Sequence, residues 1–337
     1  MIAYDPRNTV FAMNEGAELL VHDGESEGPL WRKTLDDEIV GVGADSERVT
    51  AITAKGTVAT FPSRSGADMQ SATLGGETRF AVVGTGKRRV VAALADKVVA
   101  LEGNIPRTLH EGSASAVAIA IDDTVLVAIV NAFVVIAPDG KATTTEHSLG
   151  PVVALARHPE FWMIATAKKV YRWTGSGEPV HVTSMPAEVT LKYIAATKNA
   201  FSIAYEADDG DGAATLEWPS KDTLATVDYP ERKIRGLSFG PWPWLAIAMD
   251  LGDANKQNVL EPQRLHRSDT HPGREHHSWL VAVGGAGKKA ATPATAPAAS
   301  APYTPPPDVR TSSEFPWRVL GIIAVVILII IRWSMRH

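Results

Sequence analysis

"RVVAALADKVVALE", residues Arg89–Glu102, is two short apolar runs joined at Ala-Asp. Each run is too short for an ordinary helix and is rich in Val and Ala. The break falls at a turn residue. That is the pattern of a β-hairpin. The same pattern recurs six more times: "TVFAMNEGAELLVHD" (Thr9–Asp23), "RVTAITAKGTVATF" (Arg48–Phe61), "TVLVAIVNAFVVIA" (Thr124–Ala137), "FWMIATAKKVYRWT" (Phe161–Thr174), "AFSIAYEADDGDGAATLEW" (Ala200–Trp218) and "WLAIAMDLGDANKQNVLEP" (Trp244–Pro262). A further apolar strand precedes each of the last six, beginning at Ile39, Phe80, Ala116, Val152, Leu191 and Arg235. These strands are rich in Gly and Ala, which suits the crowded axis of a ring. More polar strands follow most hairpins, as at Ala67 and Pro179.

Four strands per unit and seven units predict an all-β, seven-bladed β-propeller of four-stranded antiparallel blades over residues 1–285. Six or eight blades, and a pair of β-sandwiches, are the competing arrangements. The ring closes either through "SWLVAVGG" (Ser278–Gly285), as an inner strand completing the first blade, or through "MIAYD" at the start of the chain. In period and strand order the chain resembles the WD40-like propellers, although their Gly-His and Trp-Asp dipeptides are missing from the repeats.

Composition narrows the function. Hydrophobic residues are 45% and charged residues 21% of 337, so disorder is not the default. Net charge is -5, concentrated in the first 285 residues, which argues against a nucleic-acid partner. With no cysteine there are no disulfides, zinc-thiolate sites or cysteine nucleophiles. No nucleophile elbow, P-loop or dinucleotide fingerprint is present, and no cofactor is expected.

After the repeats the composition changes. Residues 286–314, "AGKKAATPATAPAASAPYTPPPDV" and its continuation, read as a disordered Ala/Pro-rich linker with extended bias. Residues 315–334 hold the uninterrupted apolar run Val319–Ile331, and 335–337 form a short tail. Trp317, Arg318, Arg332 and Trp333 flank the run as membrane-interface residues. The expectation is a single transmembrane helix. "MIAYDPRNTV" lacks the basic-then-apolar order of a signal peptide. The chain therefore reads as tail-anchored, with the propeller cytoplasmic.

Several positions are candidate sites. His266, Asp269, His271, His276 and His277 form a His-rich insertion that is weak as a metal site, since no ligand spacing such as HExxH appears. Asp208, Asp209 and Asp211 lack the alternation of a calcium loop. Trp162, Trp242 and Trp244 sit at turns and are candidate partner contacts. Asp36, Asp37, Glu38, Asp209 and Asp211 belong to acidic turns expected to steer a basic partner segment. Opposite them lie basic turns at Pro62–Arg64, Gly86–Arg89 and Ile105–Arg107, while Lys55, Lys97, Lys168 and Lys169 fall on the acidic side. The sequence thus points to a membrane-tethered, non-enzymatic scaffold for protein partners. By architecture it resembles the accessory propellers that accompany bacterial AAA-type ATPase and von Willebrand A proteins. The alternatives are a propeller enzyme (lyase, hydrolase or quinone-dependent dehydrogenase), with charged groups converging on the axis, and a metal-dependent sensor using the His-rich insertion.

Overall fold

The computed structural model describes residues 1–5, 10–23, 29–84, 86–208, 210–221, 223–230, 233–240, 244–250, 258–264 and 281–283. Residues 1–286 form one compact unit. The described strands, numbered β1–β28 in chain order, pair into seven four-stranded antiparallel sheets, each made of consecutive strands. The first blade is β1 (Ile2–Tyr4), β2 (Val10–Glu15), β3 (Glu18–Asp23) and β4 (Trp31–Thr34). The strands leading the next six blades are β5 (Ile39–Ala44), β9 (Thr78–Val83), β13 (Ala116–Ile119), β17 (Val152–Arg157), β21 (Thr190–Ala196) and β25 (Lys233–Phe239). Each packs against its neighbours in the adjoining blades, and β25 packs against β1, so the blades form a ring. The chain is a β-propeller.

The blades build the core between them. The middle strands alternate one face to each neighbour, as period-2 side chains must. In β6 (Arg48–Thr53), Val49 and Ala51 pack towards the first blade, and Ile52 packs towards the third. Small residues allow the inner strands to approach. A Cβ on Gly43 would stand 2.2 Å from Val83 Cβ on the next inner strand.

Five leading strands skip one residue of register, at Val40, Arg79, Val153, Lys192 and Arg235. These are β-bulges, which bend a strand and re-aim a side chain. They fall at the second or third residue of the leading strand, and no sequence pattern announces them.

Ring closure follows the second of the two arrangements read from the sequence. β1 is the edge strand of the first blade, and β28 (Val281–Val283) is the last strand of the seventh, paired with β27 (Asn258–Arg264). Val281–Val283 does not complete the first blade. Closure is instead a packed seam. Ile2, Tyr4, Phe11, Met13 and Leu20 meet Ala246 and Ala248 of β26 (Trp244–Asp250), and the Tyr4 N–H donates to Ser238 Oγ at 2.9 Å. The physical reason is local: β1 has its own hairpin partner in β2, so no gap is left in the first sheet for a distant strand.

Candidate functional site

The connections define two faces. Turns between second and third strands share one face with the links between blades. Ala54 N donates to Glu38 O at 2.7 Å, Gly112 N to Asp96 O at 2.6 Å, and Met185 N to Lys168 O at 2.8 Å. Turns between first and second strands share the other face with those between third and fourth. There Ser63 N donates to Glu47 O and Trp218 N to Asn199 O, both at 2.8 Å.

The acidic turns at 35–38 and 75–78 lie on the first face, together with Lys55, Lys97, Lys168 and Lys169. Part of that acidity serves the turns themselves. Asp36 Oδ2 accepts from Thr57 Oγ1 at 3.0 Å, and Asp37 Oδ1 accepts from Glu38 N at 2.9 Å. Asp36 and Glu38 remain exposed.

Two predicted contact residues are structural. Asp211 is 1% exposed. Its Oδ2 accepts the Ile234 N–H at 2.7 Å and lies 3.3 Å from Lys192 Nζ. Lys192 and Lys233 each also reach Glu206 at 3.0 Å. Hydrogen bonding from Lys233, reinforced by Lys192, holds the Glu206 carboxyl below its usual range. This four-charge network ties β22 (Ala200–Ala207) and β23 (Gly210–Glu217) of the sixth blade to β25 of the seventh. The "DGDG" turn reads as solvated in sequence, but the seventh blade covers Asp211. Trp162 is likewise no surface anchor. It is 4% exposed, packed with Phe133, Ile164 and Trp173, and the Arg157 guanidinium sits 4.8 Å from the centre of its ring. Pairing of Trp162 with Trp173 directs both indoles into the blade interface.

Asp209 and Trp242 lie outside the described residues, and of Trp244 only the backbone at the start of β26 is described. The metal candidates His266, Asp269, His271, His276 and His277 lie outside them too, as do Trp317, Arg318, Arg332 and Trp333. Among the described residues, no group of three or more His, Asp or Glu side chains is placed to hold a metal ion. Among them, also, no helix is long and apolar enough to cross a membrane.

Sequence reading missed the buried histidines. His158 stacks on Phe161 with ring centres 3.9 Å apart, and its Nε2 lies 3.2 Å from Lys198 O. His147 sits 4.1 Å from the Phe133 ring and accepts from Leu149 N at 3.4 Å. Desolvation pushes both below the ordinary histidine value. Their signal was available: each lies within three residues of a turn Pro or Gly beside an apolar strand.

The basic turns share a face but pack in different places: Trp31 Nε1 of the first blade donates to Ser63 O at 2.8 Å, and Asp123 Oδ2 of the fourth blade accepts from Lys87 N at 2.9 Å. Residues 62–64 close the third strand of the second blade, 86–89 link the first two strands of the third, and 105–107 begin β12 (Ile105–Glu111) of that blade. All three belong to the second face. Between these blades a cleft of about 170 Å³ is lined by Thr50, Thr60, Gln70, Ser71, Leu101 and Asn104, among others. A smaller hollow of about 40 Å³, lined by Gly43, Asp45, Arg48, Thr50 and Val83, lies on the other side of Thr50. Met69 (55%) and Ile105 (73%) are exposed beside the larger cleft.

No family model and no curated protein matches the chain. Solved structures do. The β-propeller domain of Cps50 (Swd1) from Myceliophteria thermophila superposes with a TM-score of 0.62 at 10% identity, covering 73% of this chain and 92% of that one. The WD40 repeats of RRP9 give 0.60 at 9%, covering 73% and 85%. A chain of the Mitotic Checkpoint Complex gives 0.61 at 12%, covering 79% and 89%. The fold is therefore a WD40-like propeller of four-stranded antiparallel blades.

Proposed function

We propose that the chain is a seven-bladed, membrane-tethered, non-enzymatic scaffold that presents the two faces of its ring to protein partners. The observation that carries this reading is the WD40-like ring itself, with polar, charged turns on both faces. Propellers of this kind among the solved structures include a chain of the Mitotic Checkpoint Complex. The tether rests on Val319–Ile331 and its Trp and Arg flanks. The Ala/Pro-rich stretch before it would give the ring reach from the bilayer. The basic partner segment sought by Asp36, Asp37 and Glu38, and an AAA-type ATPase as the machinery served, belong to the same proposal.

Protease protection in intact vesicles tests the tether, with one epitope at the N-terminus and another after His337. Digestion of the propeller from the cytosolic side, with the C-terminal epitope protected, is the expected result. Release by alkaline washing overturns the tether. Proximity labelling from the N-terminus tests the scaffold, and labelling indistinguishable from that by an inert propeller overturns it.

A further inference from the structure

We infer that the first face of the ring docks a protein segment over its fourth and fifth blades, seating an aliphatic side chain between the turn at 129–132 and the link at 147–153, with basic residues on the third-blade side of that anchor only. The inference rests on the scaffold reading and names the surface and partner chemistry within it.

The sector is set apart by what it lacks. Three successive connections on this face, residues 112–115, 129–132 and 147–153, read GSAS, IVNA and HSLGPVV and hold no Lys, Arg, Asp or Glu. His147, within the last, is buried. Apolar groups are exposed instead. Among the described residues, the exposed large hydrophobics Met69, Ile105, Ile121 and Val180 stand at turns of the second face, and the two on the first face are Val130 (75%) and Val153 (37%). Pro151 is exposed beside Val153, and Leu149 is half-buried. Val153 is where β17 skips register, and a bulge re-aims a side chain.

Hydrogen bonds make the sector continuous. His147 N donates to Asn131 O at 2.8 Å, joining link to turn, and Ser115 N and Oγ donate to Ala128 O at 2.8 and 3.2 Å. Leu149 packs on the core that holds Ala116, Ala128, Phe133 and Val152. The backbone under the patch is therefore fixed before a partner arrives, which lowers the cost of seating an apolar anchor.

Charge at the two borders selects the occupant. On one side Gly112 N donates to Asp96 O at 2.6 Å, so the neutral sector adjoins the turn at 95–97. From there to the second blade the connections carry Glu111, Asp96, Glu77, Glu38, Asp37 and Asp36 against Lys97, Arg79 and Lys55. The cations are engaged. Lys97 stands across the sheet from Glu111, Arg79 Nη1 donates to Ser113 Oγ at 2.9 Å, and Lys55 Nζ donates to Asp36 O at 3.3 Å. Glu38, Glu77 and Asp96 are exposed and form no ion pair among the described residues. On the other side the turn of the fifth blade carries Lys168 and Lys169, with Glu188 beyond them. Lys168 Nζ is taken by Ala187 O and Val189 O, both at 2.6 Å, and Lys169 is exposed. A segment crossing the patch is thus attracted through basic residues at one border and repelled through them at the other.

The test is selection of displayed random linear peptides against the detergent-solubilised full-length chain, followed by anisotropy with the best peptide, fluorescein-labelled. Peptides with an aliphatic residue and basic residues to one side of it should be enriched. Val130→Ser and Val153→Ser should each weaken binding about tenfold, the scale of losing one anchoring contact. Glu38→Lys and Glu77→Lys should weaken it about as much and flatten its dependence on salt. All four side chains are exposed, so the variants separate binding from folding. Arg64→Glu, on the second face, should leave affinity unchanged. Peptides insensitive to all four variants overturn this site while leaving the scaffold reading to proximity labelling. Loss with the glutamate variants but not with the valine ones overturns the aliphatic anchor, and with it the inference. Enrichment of acidic peptides, or of none, overturns it as well.

Discussion

Gly240→Ala tests how the ring closes. Gly240 follows β25, and its backbone is outside the left-handed region, so alanine is conformationally acceptable there. Space is not. The new Cβ would lie 2.3 Å from Tyr4 Cε1, 2.4 Å from Cδ1 and 2.6 Å from Cζ. Ordinary contact begins near 3.4 Å, so the ring or the strand must yield by about an ångström. Tyr4 has little room to move. It is 6% exposed, meets Phe11 edge-on at 5.5 Å, and burial raises its phenol to about 12. Overpacking of this kind costs about 1–3 kcal/mol. Tyr4→Ala should cost about 3–5 kcal/mol by emptying the seam. In the Tyr4→Ala background the methyl of Gly240→Ala meets no ring, and its penalty should vanish. The double-mutant cycle should therefore show a coupling of about 1–3 kcal/mol. Urea unfolding of the full-length chain, followed by tryptophan fluorescence, reads each value from the midpoint at unchanged slope. Additive costs, or no cost for Gly240→Ala alone, would refute a closure made by side-chain packing.

Other consequences are as direct. Asp211→Ala should destabilise by about 2 kcal/mol or more, because it strips a charged acceptor from the buried Ile234 N–H; thermal melts of Asp211→Ala against Asp36→Ala check this, the latter changing little. Trp162→Ala should cost about 3–5 kcal/mol as a core deletion, and partner capture by the folded fraction should be unaffected. His147 and His158 are held neutral by burial, with folded values below the ordinary 6.5. The unfolded chain takes up protons first as pH falls through 6.5, so stability should be full above that value and decline below it. Replacing both with phenylalanine should flatten that slope between pH 7 and 5, as measured by chemical unfolding.

Much of this protein was legible along the chain. Paired apolar runs of four to eight residues, broken by Gly, Asp or Asn, can satisfy their backbone only as hairpins. Their recurrence favours a ring of similar sheets over a pair of sandwiches. The leading strands at Ile39, Val152 and Leu191 fell where the small-residue runs placed them. Residues Arg64, Lys87 and Arg107 were recognisable as basic turns, because charge at a turn is a local property.

Other features are pairwise facts between blades, and no local pattern carries them. Asp211 and Trp162 look exposed in a turn and at a strand start. They are buried because the seventh blade covers one and Trp173 shares an interface with the other. The choice between Ile2–Tyr4 and Val281–Val283 as closing strand depended on which had a hairpin partner within reach. The bulges at Arg79 and Lys192 follow from strand curvature around the axis. So does the cleft, since only neighbouring blades bring Thr50 and Thr60 opposite Val90, Leu101 and Asn104. Hydrophobic period specifies what each strand must bury, but tertiary packing decides against what.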